Sequence, residues 1–290
     1  MIIEQLNYIT ICYQSNQVNS VKLMIEEHYD RPELNNAIIL LNPLYNNLIN
    51  ERNLFCYMSQ QYDKVIYYEL EHRYYSDLYD NCIAKEWDND NFEFIKTIKP
   101  NEIWTMDYRS QFAVRCEQEL GIPIIYKPMR YTTLIKPVEN IYVTPKSIDC
   151  CLPGILTCAY LRQDFFSEVE RSNSFSMALI TKTKNLTECI HVFNTCKYIL
   201  DIPRIYEISS PNQVRIFELL CMGYTVCSKQ TAINMFPGLV YQWETVDELR
   251  KIINRGEYLH PTEAYKEMTY TDDAYEKYVN YLIEQWNTVD

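Results

Sequence analysis

The sequence predicts an α/β protein built from two Rossmann-like domains, and three observations support this. The chain has 290 residues, about twice the roughly 150 expected of one domain. Short apolar runs alternate with helix-length amphipathic segments in both halves, the pattern of doubly wound parallel sheets. Near the middle, residues 128–147 carry Pro128, Pro137 and Pro145 among polar residues with no sustained period, which marks a linker.

In chain order, residues 6–13 read as a strand, 18–29 as a helix, and 37–42 as a strand with the near-continuous apolar run of a buried parallel sheet. Residues 64–70 and 102–106 read as further strands, and 92–98 and 109–120 as helices. Gly121 stops the last helix before a strand at 123–127. Past the linker, 147–152 reads as a strand, 157–171 as a helix, 174–181 as a strand, 186–200 as a helix and 203–207 as a strand. Residues 224–228 form a short buried strand. The tail, 261–286, is helical and rich in Tyr and Glu.

Composition narrows the class. A hydrophobic fraction of 47% and a charged fraction of 23% describe a globular chain with material for two cores rather than a disordered one. No run of about 18 apolar residues is present, and Met1–Gln5 lacks the basic start and apolar centre of a signal peptide, so a cytoplasmic location is expected, the host cytoplasm if the source is viral. Eleven cysteines are scattered without a Cys-x-x-Cys pair, mostly in apolar stretches, which points to reduced buried thiols. Four histidines at 28, 72, 191 and 260 show no ligand spacing, and no Asp-x-Asp signature occurs, so no metal is expected. The net charge of -12 is shared evenly: residues 1–147 hold 14 basic and 20 acidic side chains, the remainder 13 and 19. Bulk charge thus disfavours a nucleic-acid partner. Lys127, Arg130, Lys136 and Lys146, with interleaved tyrosines, form the one basic stretch, and a solvated linker is its plainer reading. Twenty-six tyrosines and only five glycines suit an AT-rich genome, bacterial, phage or large-virus.

The run Ile208-Ser209-Ser210-Pro211-Asn212-Gln213-Val214-Arg215-Ile216-Phe217-Glu218-Leu219-Leu220-Cys221-Met222-Gly223 joins a turn, a helix N-terminus and a carboxylate. Pro211 suits the first helical position, with Ser209 or Ser210 as cap, so free N–H groups and the positive helix end would face an anion such as a diphosphate. Arg215 and Glu218 can share a helix face, with Glu218 deeper and able to accept hydrogen bonds from ribose hydroxyls. Gly223 would end the helix.

This run resembles the donor-binding motif of glycosyltransferases with two Rossmann-like domains (GT-B type, group 1), in particular the spore-maturation or CgeB-like group. There Asn-Pro or Ser-Pro precedes Arg-x-Phe-Glu, then Gly and a strand ending in Ser or Thr. Residues 232–236, 239–243 and 246–249 look like the group's succession of short helix, strand and a helix opening with Glu-Leu. The likeness covers roughly residues 202 to 256. It implies two domains facing across a cleft: 1–135 on the acceptor side, 147–260 binding the nucleotide sugar, and 261–290 a helix packing back on the first. It implies transfer of a sugar from a nucleotide-diphosphate sugar, UDP-sugar first, as co-substrate without further cofactor. The hydroxyl acceptor would be a glycan, protein, small molecule or, as a minority option, a modified DNA base.

Open α/β sheets bind ligands beyond the carboxyl ends of their strands, so the strand-following loops hold the candidates. For the acceptor base these are His72, Glu71 and Asp107, the first two matching a Glu-His and the last a Trp-x-x-Asp of the group. For the donor they are Ser209, Ser210, Asn212, Arg215 and Glu218, with Lys229 as a further phosphate contact. Gly154 and Arg162 hold the place of another phosphate contact, but Ile155 and Leu156 replace the small polar residues usual there. Two other readings stay open: a non-catalytic nucleotide-sugar-binding module of the same fold, and an unrelated two-domain α/β sugar-phosphate protein.

Overall fold

The apolar runs of the first half lie side by side as one sheet. In the computed structural model, which describes residues 2–13, 19–41, 49–70, 83–108, 110–139, 141, 145–153, 160–172, 174–180, 186–203 and 211–289, the chain divides into two units, Met1–Met129 and Arg130–Asp290. The border falls inside the proline-bearing stretch.

Unit 1 is a six-stranded sheet, β1(Ile2–Gln5), β2(Ile9–Tyr13), β3(Ala37–Leu41), β4(Lys64–Glu69), β5(Glu102–Thr105) and β6(Ile124–Tyr126), ordered as in the sequence. β2 to β6 run parallel, and β1 returns antiparallel on β2. The β1 hairpin was not expected; its exposed Ile2 and Ile3 carry no buried-strand pattern. Helices α1(Asn19–Tyr29), α2(Ile49–Ser59), α3(Ile83–Ile98) and α4(Gln111–Leu120) connect the strands. α2 was not anticipated, and α3 begins nine residues before the expected 92. Phe55, Phe92, Phe94, Ile95 and Phe112 pack with Ile38, Leu40, Tyr67 and Ile103 into one core. Tyr68 and Trp104 alternate to the other face, where Tyr29 of α1 meets Trp104 with ring centroids 4.9 Å apart. Ser110 caps α4 by accepting from the Ala113 N–H, and Gly121 closes it with φ 69°.

Unit 2 orders its five parallel strands differently. β7(Ile148–Pro153), β8(Met177–Ile180), β9(Cys196–Asp201), β10(Val226–Lys229) and β11(Tyr241–Trp243) lie as β11-β10-β9-β7-β8. Helices α5(Tyr160–Ser172), α6(Leu186–Thr195), α7(Gln213–Met222) and α8(Val246–Arg255) cross between them. Leu161, Phe165 and Val169 of α5 and Val246, Leu249 and Ile253 of α8 bury one face of the sheet. α8 starts with a complete capping box between Thr245 and Glu248.

Two expectations are corrected here, and the strand expected over 203–207 lies almost wholly outside the described residues. The helix expected over 186–200 stops at Thr195, and Cys196–Asp201 is the strand β9. Pro203 lies outside any strand and 204–207 outside the described residues. An apolar run such as Tyr198-Ile199-Leu200 fits a buried helix and a buried strand equally, and its β-branched and aromatic content favours the strand. Residues 232–236 form turns and bends, not a short helix.

The tail is two helices, α9(Pro261–Thr269) and α10(Asp272–Thr288), which pack on their own unit. Thr262 donates to the Leu220 carbonyl (3.1 Å), and the Tyr278 hydroxyl to the Met235 carbonyl (2.9 Å). Among the described residues, no helix is long and apolar enough to cross a membrane. The nine described cysteines are free thiols, and burial pushes those of Cys150 and Cys227 well above the ordinary range.

Candidate functional site

The strand order of unit 2 singles out one place. From β7 the chain moves outward to β8, then returns past β7 to β9 on its other side. That reversal makes the carboxyl ends of β7 and β9 a topological switch point, where open α/β sheets hold ligands. The helices following these strands, α5 and α7, present their positive N-terminal ends on that side of the sheet.

At the start of α7 the cap is Asn212, not Ser209 or Ser210. Its backbone is extended (φ -70°, ψ 94°) and its side chain accepts from the Arg215 N–H at 3.0 Å. Pro211 therefore precedes the cap instead of opening the helix. Asn prevails because its carbonyl reaches the third helical N–H while the residue stays extended. The helix ends at Gly223, as the sequence indicated; its φ is 90°, and a Cβ there would meet Thr262 Oγ1 at 3.3 Å.

Beneath this cap lies Asp201, the last residue of β9, with its side chain 0% exposed. Its Oδ2 accepts from the Asn212 N–H at 3.2 Å and its Oδ1 from Arg215 Nη1 at 3.0 Å. Asp201 is not legible in the sequence, because a helix read over 186–200 leaves it between elements. Arg162, in the first turn of α5, is 3% exposed and donates through Nε to the carbonyl of Ile202 at 2.8 Å. Two guanidinium groups thus attach to consecutive residues at the end of β9, against one buried carboxylate. Glu218 stands one turn beyond Arg215 on α7, half-buried.

The other sequence candidates divide. Gly154, Ser209 and Ser210 lie outside the described residues. Lys229 turns elsewhere: its ammonium donates to the Glu244 carbonyl and lies 5.1 Å from the centre of the Trp243 ring. The basic stretch is no solvated ribbon. Arg130 is buried, Lys136 donates to the Thr133 carbonyl, Lys146 to that of Asn194, and Lys127 lies over the rings of Tyr29 and Trp104.

In unit 1, Glu71 and His72 lie outside the described residues. Asp107 follows β5 and is 1% exposed; its N–H and carbonyl both bond to the Thr105 hydroxyl, at 3.1 and 3.0 Å. Thr105 pairs in register with Glu69, which ends β4 fully buried and accepts from the Tyr67 hydroxyl at 3.3 Å. Two acids therefore occupy the ends of neighbouring strands. Glu69 was legible only as a residue within the strand read over 64–70, since Leu70 carries the apolar run past it. Among the described residues no group of three or more His, Cys, Asp or Glu could hold a metal ion.

No protein-family model matches the chain, and no curated protein does. Among solved structures it is similar to the pneumococcal O-GlcNAc transferase GtfA in complex with UDP and GlcNAc, at 9% identity and a TM-score of 0.38, over 87% of this chain and 56% of that one. It is also similar to a glycosyltransferase from Rickettsia africae, at 11% identity and a TM-score of 0.40, over 94% and 93%. The chain thus spans little more than half of the first of these. At this depth the names describe those proteins; the architecture of this one rests on its own strands and helices.

Proposed function

We propose that this chain is a glycosyltransferase that moves a sugar from a nucleoside-diphosphate sugar to a hydroxyl acceptor, nearest in kind to the spore-maturation group that the 208–223 run resembles. One observation carries the reading: at the switch point of the second sheet, the N-terminus of α7 and the guanidinium of Arg215 coincide with Arg162 at the end of β9. A helix N-terminus with arginines beside it attracts a diphosphate and stabilises it as a leaving group. Glu218, one turn along, has the chemistry to accept from a pair of ribose hydroxyls. The acceptor base belongs to the first unit, with Asp107, Glu71 and His72 as candidates.

The test is a thermal-shift panel of UDP-, GDP-, ADP-, CDP- and dTDP-sugars, followed by detection of free nucleoside diphosphate. A donor at 100 times its Kd stabilises by about 2.7 kcal/mol, and the expected result is a shift with one nucleotide class that Glu218→Ala and Arg215→Ala both diminish. No shift with any donor overturns the proposal. A shift without turnover, across glycan, protein and small-molecule acceptors, favours a binding module of the same fold.

A further inference from the structure

A carboxylate in a protein interior is costly unless both oxygens are satisfied. Asp201 meets that condition with two partners of different kinds: the backbone N–H that opens α7, and a guanidinium fourteen residues further along the chain. It is 0% exposed, while the Arg215 side chain that it holds keeps 22% exposure. The acid is therefore beneath and the arginine is towards solvent.

Guanidinium is planar and carries five N–H donors in a fixed fork. Here Nη1 is engaged by Asp201, and the Nε and Nη2 donors of Arg215 have no partner among the described residues. The N–H of Val214, at the second helical position, has none either. The donors left over thus all belong to the segment that Asp201 anchors, at the positive end of the helix. An arginine without such an anchor samples several rotamers, and ordering it on binding costs affinity.

We infer that Asp201 is the positioning residue of the donor site: its buried carboxylate fixes the plane of Arg215 and the first turn of α7, so that their remaining N–H groups face the diphosphate. The inference rests on the donor reading above. Asp201 itself touches no substrate; it acts through Arg215.

Calorimetric titration with UDP, and in parallel with ADP, GDP, CDP and dTDP, tests it on the full chain. The wild type binds one of the five, and Asp201→Asn binds the same one roughly tenfold or more weakly, as for loss of a charge-assisted hydrogen bond. In an Arg215→Ala background Asp201→Asn costs much less, because most of its effect runs through the arginine and only the bond to the Asn212 N–H remains. Asp201→Asn binding as tightly as wild type, or more tightly, overturns the inference, as does an equal loss in both backgrounds. Should Asp201→Asn not fold, Arg215→Lys decides. A lysine ammonium is a point charge drawn onto Asp201 with no second edge to offer, so affinity falls almost as far as in Arg215→Ala; wild-type affinity in Arg215→Lys overturns the inference. If the wild type binds none of the five diphosphates, the donor reading fails and Asp201's role with it. If Arg215→Ala weakens binding and Asp201→Asn does not, only the role of Asp201 fails.

Discussion

Asn212 shows how much one side chain can decide. Its carbonyl oxygen satisfies the Arg215 N–H, while its own N–H is taken by Asp201. Asn, Asp and Ser are equivalent caps on an isolated helix, but an aspartate here would bring a second negative charge beside a buried one. Asn212→Ala is expected to lower stability by about 1 kcal/mol, and Asn212→Ser to retain most of it. Asn212→Asp is expected to be worse than Ser because of like-charge repulsion. Urea unfolding of the three variants ranks them; Asp equal to Ser would mean that Asp201 does not reach the cap.

Among the elements, the amino ends of β7, β8 and β9 are joined by a polar bracket. Asp149 accepts from Lys197 Nζ at 2.7 Å and from both the N–H and hydroxyl of Ser176, at 2.9 and 2.8 Å. Burial alone would raise this carboxyl, but the Lys197 and Ser176 bonds outweigh it and hold it below its ordinary value. A depressed carboxyl contributes stability that is present above its unfolded pKa, about 3.9, and is lost as pH falls through the lower folded value. Asp149→Asn is therefore expected to cost about 0.5–1 kcal/mol at pH 7, since the pair is partly exposed and screened. The difference should shrink as pH falls below about 4; a constant difference between pH 3 and 7 in denaturant titrations would rule this account out. Elements were legible in the sequence where period and punctuation agreed. Gly121 and Gly223 ended their helices as read, and the runs at Ala37–Leu41 and Lys64–Glu69 formed strands where expected. Legibility failed where an apolar run has no period of its own. Tyr198-Ile199-Leu200 was assigned to a helix, which hid Asp201 and with it the anchor of Arg215. Arg215 and Glu218 could be read because a helix spaces them by one turn; Asp201 meets Arg215 only through the crossing of a strand and a helix, a relation that linear spacing does not encode.

At the scale of the molecule, Arg130 joins the beginning of the second unit to its end. It is 2% exposed and donates through Nε to the Thr269 carbonyl at 3.0 Å, through Nη2 to that of Tyr270, and through Nη1 to Asp272 at 3.0 Å. The Tyr275 ring lies 4.4 Å from its guanidinium carbon. These partners are the last turn of α9 and the first of α10, so one planar cation closes two helix ends. Arg130→Ala is expected to cost about 3 kcal/mol or more, by leaving carbonyls without a charged donor, and to open the chain near residue 270 to proteolysis. Arg130→Lys should recover little of this, since an ammonium cannot serve three acceptors in one plane. Wild-type protease resistance in Arg130→Ala would show that the tail is held by α9 and α10 packing alone. The 139 residues separating Arg130 from Thr269 also set a clock. A ribosome adding 5–20 residues per second needs roughly 7–28 s to cover them. Unit 1 can close during that interval, whereas the second unit carries an arginine whose acceptors have not yet been made.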